Sequence, residues 1–180
     1  MAAAPTIYDY TPAQARLVQL YDYYRTCLMN AKYYARRIEI LKWVNLGADI
    51  LTAIVASSAF VGLAIWKSDV GKNLFSVLLG SSAVISVLRP VLRLSEKIDR
   101  CAKLHYGYLE LYYRIDLLIA EIRTAQDVNE DHLKKMSELS ERFRSLELEG
   151  DAYQSPKMLL KYQDEIERVL PADRLWLPSK

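Results

Sequence analysis

The sequence predicts an all-α membrane protein: an antiparallel two-helix transmembrane hairpin, extended into a long cytoplasmic helical stalk and followed by two shorter C-terminal helices. Three observations predict this fold. Two apolar runs flank a short polar turn, apolar residues recur at steps of three and four on both sides of these runs, and glycine and proline are scarce, with six each in 180 residues. Outside the apolar runs, no alternation rich in Val, Ile and Thr indicates a β-strand.

The first apolar run predicts a transmembrane span over residues 43–66. The part that ends at Trp66 carries no charged residue for about seventeen positions, the lower limit for crossing the apolar core of a bilayer. Extending the run back to Trp43 includes two polar residues, Asn45 and Asp49. At ~1.5 Å per residue the two Trp residues lie about 34 Å apart, close to the separation of the membrane interfaces in which Trp rings concentrate.

The second apolar run predicts a span over residues 74–92, joined to the first by an outer turn at residues 67–73. This run is weaker, because it has only about fifteen uncharged residues before Arg89 and Pro90. The alternative is a soluble helical hairpin buried in a protein core. We favour the membrane, because neither run shows the charged face that a soluble hairpin usually carries.

Basic residues predict the orientation of the hairpin. Those near the spans are Lys32, Arg36, Arg37 and Lys42 before the first, Arg89, Arg93, Lys97, Arg100 and Lys103 in or after the second, and Lys67 and Lys72 in the turn. Because Lys and Arg are retained on the cytoplasmic side, both termini of this multi-pass inner-membrane protein are expected in the cytoplasm. No signal peptide is recognisable, so the first span is expected to direct insertion. A net charge of +2 gives no argument for direct nucleic-acid binding.

Residues 11–42 are expected to form the cytoplasmic part of the first helix. Thr11 is a suitable N-cap, Pro12 suits the first helical position, and Gln14 completes a capping box. No glycine or proline follows until Gly47, so one helix is expected to run from the cytoplasm into the membrane.

A cytoplasmic return helix is predicted over residues 93–126 and two C-terminal helices over residues 129–170. Asn129 is expected to cap the first of the two, which Gly150 ends, and Ser155 before a proline starts the second. Their apolar stripes are Leu133, Met136, Leu139, Phe143 and Leu146, then Leu159, Tyr162, Ile166 and Val169. We expect both helices to fold back onto the stalk or onto a neighbouring subunit.

The cytoplasmic helices carry apolar stripes that predict coiled-coil packing in the stalk. The candidate seam residues are Leu28 and Ile38 on the first helix, then Ile98, His105, Tyr108, Leu111 and Ile115 on the return helix. His105 has no second metal-ligating residue at a suitable spacing, which favours a hydrogen-bonded core histidine over a metal ligand or a pH switch. Both helices are rich in Tyr residues. We favour a role for these rings in packing within the protein over stacking on a nucleic-acid base or on an aromatic ring of a partner.

The register of the stalk seam continues into the spans as a face of polar and small residues. The candidates for a pore wall or a subunit interface are Asn45, Asp49, Thr52 and Ala56 on the first span, and Ser76, Gly80, Ala83 and Arg89 on the second. Polar groups inside a membrane usually face protein or water, and small residues let helices approach closely. In the alternative, to which we give equal weight, these residues only pack the two helices of one hairpin closely together.

Asp49 and Arg89 are predicted to form an ion pair near the cytoplasmic end of the hairpin. A turn centred near Val70 would place the two residues within about one helical turn of each other. A lone charge at this depth costs about 2.5–3.5 kcal/mol on insertion scales, which pairing reduces. In the alternative, Arg89 extends its side chain to the lipid headgroups.

The residue inventory argues against an enzyme. The sequence has two His residues, no Gly-rich phosphate-binding loop, no nucleophile beside a base and no metal-ligand spacing, so neither a cofactor nor a metal is expected. Cys27 and Cys101 are expected to be buried, reduced thiols.

A helix running into the Trp43–Trp66 span, a short outer turn, a second span closed by Arg89–Arg93 and a Tyr-rich return helix together resemble the SLATT family. These proteins are two-span membrane effectors of bacterial conflict systems. The resemblance covers about residues 11–170 and rests on architecture and on the placement of aromatic and basic residues. It implies an effector that assembles in the inner membrane and compromises it when a partner enzyme or a nucleotide signal reports phage infection.

Two functions from different classes are therefore expected. In the first, the chain forms a homo-oligomer in the lipid bilayer, whose polar span faces enclose a conducting path that opens on a signal from a sensor or nucleotide-signalling partner. In the alternative, it is a non-conducting membrane scaffold that recruits a cytoplasmic partner through its helical stalk.

Overall fold

A computed structural model describes residues 10–65, 77, 80, 81, 84, 93–150, 154–171 and 175–178, with the backbone alone for residues 54–65. Four helices are delimited: α1 (Pro12–Ile65), α2 (Leu94–Ala125), α3 (Glu130–Glu149) and α4 (Pro156–Val169). Residues 77, 80, 81 and 84 are also helical. No strand occurs in this described part of the chain, so the all-α prediction is confirmed there.

Helix α1 begins with the predicted capping box. The Gln14 backbone N–H donates to Thr11 Oγ1 at 3.3 Å, and the Thr11 backbone N–H donates to Gln14 Oε1 at 2.9 Å, so two N–H groups that lack helical partners are satisfied. The helix then continues for 54 residues without a break. The prediction of one helix from residue 11 into the first apolar run is confirmed as far as Ile65.

The chain divides into two compact units. The first, here called the bundle unit, combines residues 1–35 with residues 102–180, and the second consists of residues 36–101. Helices α1 and α2 each contribute residues to both units.

Helices α1 and α2 pack antiparallel in the bundle unit. His105 Nδ1 of α2 lies 2.9 Å from the carbonyl oxygen of Ala31, and Asp116, about three turns later, contacts Tyr24, about two turns earlier on α1. The core between the helices is apolar and fully enclosed, and its largest side chains include Leu17, Leu104 and Ile115. Each such burial contributes roughly 1.5–3 kcal/mol, which explains why the steps of three and four predicted this packing.

Helix α2 ends where the sequence predicts. Gln126 follows it in the left-handed region, with a φ of 57°, and its Nε2 donates to the Arg123 carbonyl oxygen at 2.6 Å. This conformation closes the helix. Asn129 then caps α3 through a bond from the His132 backbone N–H to Asn129 Oδ1 of 2.9 Å, while His132 Nδ1 accepts from the Asn129 backbone N–H.

The apolar stripe of α3 begins one residue earlier than predicted. Its buried residues are His132, Met136, Leu139, Phe143 and Leu146, whereas Leu133 is 39% exposed. The reason is the capping box, which holds the His132 ring at the start of the helix, in register with the later buried positions at steps of four and three. Gly107 of α2 allows close approach on this side, since a Cβ there would lie 2.7 Å from Leu146 Cδ2.

Polar contacts attach helix α4 and its N-cap residue to α1. The Ser155 backbone N–H donates to the Tyr33 hydroxyl at 3.1 Å, and the Lys32 ammonium pairs with Glu165. Ile166 is the one residue of α4 that is buried, and the prediction that Val169 faces inward is wrong, because this last residue of the helix is 61% exposed.

A docked tail, residues 175–178, lies half-buried against α1. The Tyr21 hydroxyl donates to the Trp176 carbonyl oxygen at 3.1 Å, and Gln14 Nε2 donates to the Pro178 carbonyl oxygen at 2.8 Å. Backbone carbonyl groups therefore hold this half-buried segment against α1.

The first predicted span lies on α1 as far as Ile65, with its side chains described only up to residue 53. Within the described residues, no helix has both the length and the apolar character needed to cross a membrane. The outer turn at residues 67–73 lies outside the described residues, as does the second predicted span apart from four helical positions.

Candidate functional site

The polar residues predicted on the first span share one face of α1. Asn45 Nδ2 donates to Asp49 Oδ2 at 3.3 Å, and Thr52 Oγ1 donates to the Ala48 carbonyl oxygen at 2.8 Å. The three side chains are half-buried. Bonding within one helix satisfies polar groups without help from water, which is how such residues are tolerated in apolar surroundings.

Apolar side chains of the same stretch are exposed. Ile40, Trp43, Val44, Leu46 and Ile50 are between 41% and 66% exposed. By contrast, α1 buries its apolar side chains at Leu17, Leu20, Tyr21, Tyr33 and Tyr34, each at most 2% exposed. The described part of α1 therefore buries apolar side chains within the bundle unit and exposes several of them between residues 40 and 50. A contiguous exposed apolar surface usually marks contact with lipid or with another protein.

The remaining candidates of the polar and small face are only partly described. Gly80 is helical and exposed, and a Cβ added there would meet nothing within 4 Å. Ala56 lies on α1, where its side chain is not described. Ser76, Ala83 and Arg89 lie outside the described residues, so the ion pair between Asp49 and Arg89 stays a prediction.

The candidate seam of the stalk is divided between the two units. Tyr108, Leu111 and Ile115 are buried in the bundle unit, and Leu28 and His105 are half-buried there. Ile38 and Ile98 are half-buried in the second unit. The bond from His105 to the α1 backbone places this ring in a structural role at the interface of α1 and α2. No group of three or more potential metal ligands occurs among the described residues.

The Tyr residues of the bundle unit mostly contact one another. Tyr24 stacks on Tyr112 with ring centroids 4.5 Å apart, and the Tyr24 hydroxyl lies 2.9 Å from both the Tyr112 hydroxyl and Asp116 Oδ1. Burial, assisted by these hydrogen bonds, raises the pKa of Tyr24 well above its usual range. The pKa of Tyr108 is raised too, chiefly by burial. Both Tyr side chains therefore remain neutral near neutral pH and pack in the core of the bundle unit.

Cys27 and Cys101 are both buried, and neither forms a disulfide. Burial, with a smaller contribution from the Glu147 carboxylate, raises the pKa of the Cys27 thiol to about 12. Cys27 therefore stays protonated near neutral pH and is a poor nucleophile or metal ligand.

Sequence reasoning missed a cavity between α1 and α4. Arg25 lines it together with residues that have no recognisable motif. This cavity is formed by two helices that lie far apart in the sequence, so no local sequence pattern indicates it.

Comparison with known proteins found no matching family model, no matching curated protein and no matching solved structure.

Proposed function

We propose that this chain is an oligomeric inner-membrane effector that forms a pore or disrupts the membrane in anti-phage defence, triggered by a partner protein or a nucleotide signal. The observation that supports the membrane part of this proposal is the change along α1 from buried to exposed apolar side chains. It occurs within one uninterrupted helix, and the exposed stretch leads into the uncharged run that ends at Trp66.

The exposed stretch favours an apolar environment on energetic grounds. Each large apolar side chain gains roughly 1.5–3 kcal/mol when it leaves water completely. Ile40, Trp43, Val44, Leu46 and Ile50 are all substantially exposed. Lipid acyl chains would cover them and the following run together, and Trp43 would then lie near a membrane interface.

The polar face of α1 supports the oligomeric part of the proposal. Asn45, Asp49 and Thr52 would lie in or near the membrane, where polar side chains usually face other helices or water. The exposed helical Gly80 offers a place for close helix approach. A ring of such faces would give a polar path, and the link to phage defence rests on the resemblance to the SLATT family.

A second function, a non-conducting membrane scaffold, is favoured by one specific observation. Asn45 bonds to Asp49 and Thr52 bonds to Ala48, so these groups need no water-filled path to be satisfied. In this case the bundle unit recruits a cytoplasmic partner, and the small residues only pack helices together.

Membrane potential after induced expression separates the two functions. For a pore, the wild-type chain depolarises the membrane, and Asp49→Ala or Thr52→Leu removes this effect while insertion, measured by resistance to alkaline extraction, is retained. Thr124→Leu is a matched control, because Thr124 Oγ1 makes the same bond to a carbonyl four residues earlier, at 2.9 Å, but in the bundle unit. An unchanged potential with full insertion and oligomerisation supports the scaffold. Extraction of the wild-type chain by alkali contradicts both.

A further inference from the structure

A cavity of about 260 Å³ lies between α1 and α4 in the bundle unit. Arg25, Thr26 and Met29 of α1 form one wall, and Gln163, Ile166 and Glu167 of α4 form the other. This volume exceeds the roughly 150 Å³ cavity that holds benzene and is slightly below the roughly 300 Å³ at which pockets for drug-sized ligands begin. The space therefore suits a molecule of a few heavy atoms.

The cation in this cavity has no partner within the described part of the chain. Arg25 Nε is fully buried and makes no hydrogen bond, and no carboxylate among the described residues forms an ion pair with the Arg25 guanidinium. Lys32, about two turns along the same helix, is by contrast paired with Glu165 of α4. The Arg25 side chain as a whole is half-buried, and a partly desolvated cation without a counter-ion would gain free energy from a ligand that supplies an anion.

We propose that this cavity binds a small monocarboxylate with a short apolar chain. A guanidinium presents parallel N–H groups that match the two oxygens of a carboxylate, and the Thr26 hydroxyl adds a possible donor on the same wall. Met29 and Ile166 offer apolar contacts to the rest of the molecule. Glu167 adds a negative charge to the α4 wall, which disfavours ligands with two charges, such as inorganic phosphate.

Binding would connect α4 more firmly to α1. Helix α4 has one buried residue among those described, Ile166, and this residue lines the cavity. A ligand held by Arg25 on one side and by Ile166 on the other would therefore stabilise the docked position of α4. The site goes beyond the proposed membrane function and does not depend on it.

Thermal unfolding of the full-length chain in detergent tests the site. Isovalerate, acetate and phosphate are compared with chloride at about 10 mM and equal ionic strength. A dissociation constant near 1 mM predicts a rise in Tm of about 3–6 °C for wild type with isovalerate, a smaller rise with acetate and none with phosphate. Arg25→Met removes the effect of isovalerate, whereas Arg142→Met, which removes an exposed Arg of α3, retains it.

The stability of the ligand-free variant supplies a second readout. Since the half-buried Arg25 makes no ion pair with a described residue and its buried Nε makes no hydrogen bond, Arg25→Met is expected to unfold at the same temperature as the wild type or a few degrees higher. Hydrogen exchange should also show slower exchange of α4 amides when isovalerate is added to wild type. The proposal is overturned if isovalerate shifts neither Tm nor α4 exchange, if phosphate is the better ligand, or if Arg25→Met lowers the Tm without ligand. Membrane insertion is unaffected in every one of these outcomes.

Discussion

Tyr24 and Tyr112 stack with an interplanar angle of 13° and join their hydroxyls at 2.9 Å, with Asp116 as a third member of the network. The contact links α1 to α2 in the middle of the bundle unit. It combines the burial of two rings with hydrogen bonds that the apolar surroundings strengthen.

Tyr24→Phe is expected to destabilise the chain by about 1–2 kcal/mol, because it removes the hydroxyl that bonds to Tyr112 and Asp116. The packing of the ring is left intact. Thermal unfolding in detergent should show a decrease in Tm of about 2–8 °C. Tyr113→Phe is the control, since Tyr113 is 57% exposed and its hydroxyl is not part of this network. Equal Tm values for the two variants would contradict a stabilising role of the network.

The buried acids of the core predict a loss of stability at alkaline pH. Cys27 ionises near its usual value of 9.0 when unfolded and near 12 when folded, and the pKa of Tyr24 is likewise raised by burial. Above about pH 9 the native chain therefore holds more protons than the unfolded chain, so stability falls as pH rises. Urea unfolding at pH 8 and at pH 10.5 measures how much the free energy of unfolding decreases between these two pH values. This decrease should be smaller in Tyr24→Phe, and an equal decrease in both chains would disprove the contribution of Tyr24.

The ion pair between Lys32 and Glu165 predicts that acid weakens the attachment of α4. The hydrogen bond from Lys32 lowers the pKa of Glu165, so this carboxylate stabilises the fold above its unfolded pKa and loses that effect as pH falls through its folded value, below 4.5. Hydrogen-exchange protection of α4, relative to α2, should therefore fall between about pH 5 and pH 3. In Lys32→Met the protection is expected to be lower at pH 6 and less dependent on pH. Protection that declines equally in both chains would exclude the pair as the cause.

Gly107 is expected to resist replacement by larger residues. A Cβ at this position would lie 2.7 Å from Leu146 Cδ2, and Leu146 is 1% exposed and has little space to move. Gly107→Val should cost about 1–3 kcal/mol through overpacking between α2 and α3. Denaturant unfolding measures the loss, with Gly47→Val as the control, since nothing lies within 4 Å of a Cβ at Gly47. Similar losses at both positions would indicate that strain in the helix, and not this contact, sets the cost.

Local signals in the sequence predicted the helices well. The capping box at Thr11 and Gln14, the cap at Asn129 and the helix end at Gly150 each depend on residues within one turn, so they can be recognised without the fold. The choice between Leu133 and His132 as the buried residue could not be made this way. It depends on how the His132 ring is held by the cap and on which side of α3 meets α1 and α2.

The candidate site was predicted less completely than the helices. The shared face of Asn45, Asp49 and Thr52 follows from helical periodicity, but their bonding to each other and to Ala48 depends on rotamers that periodicity does not specify. The cavity beside Arg25 required α1 and α4 to be placed together, although they lie more than a hundred residues apart in the sequence.

The docked tail has a consequence for the order of folding. Its bond from Gln14 to Pro178 joins residues 164 positions apart, so it closes one of the longest loops that this chain can form. During synthesis Gln14 leaves the ribosome long before Pro178, so this bond forms only after α1, α2, α3 and α4 have all been made. Until Pro178 has been made, the beginning of α1 lacks this contact and stays accessible to chaperones or partners.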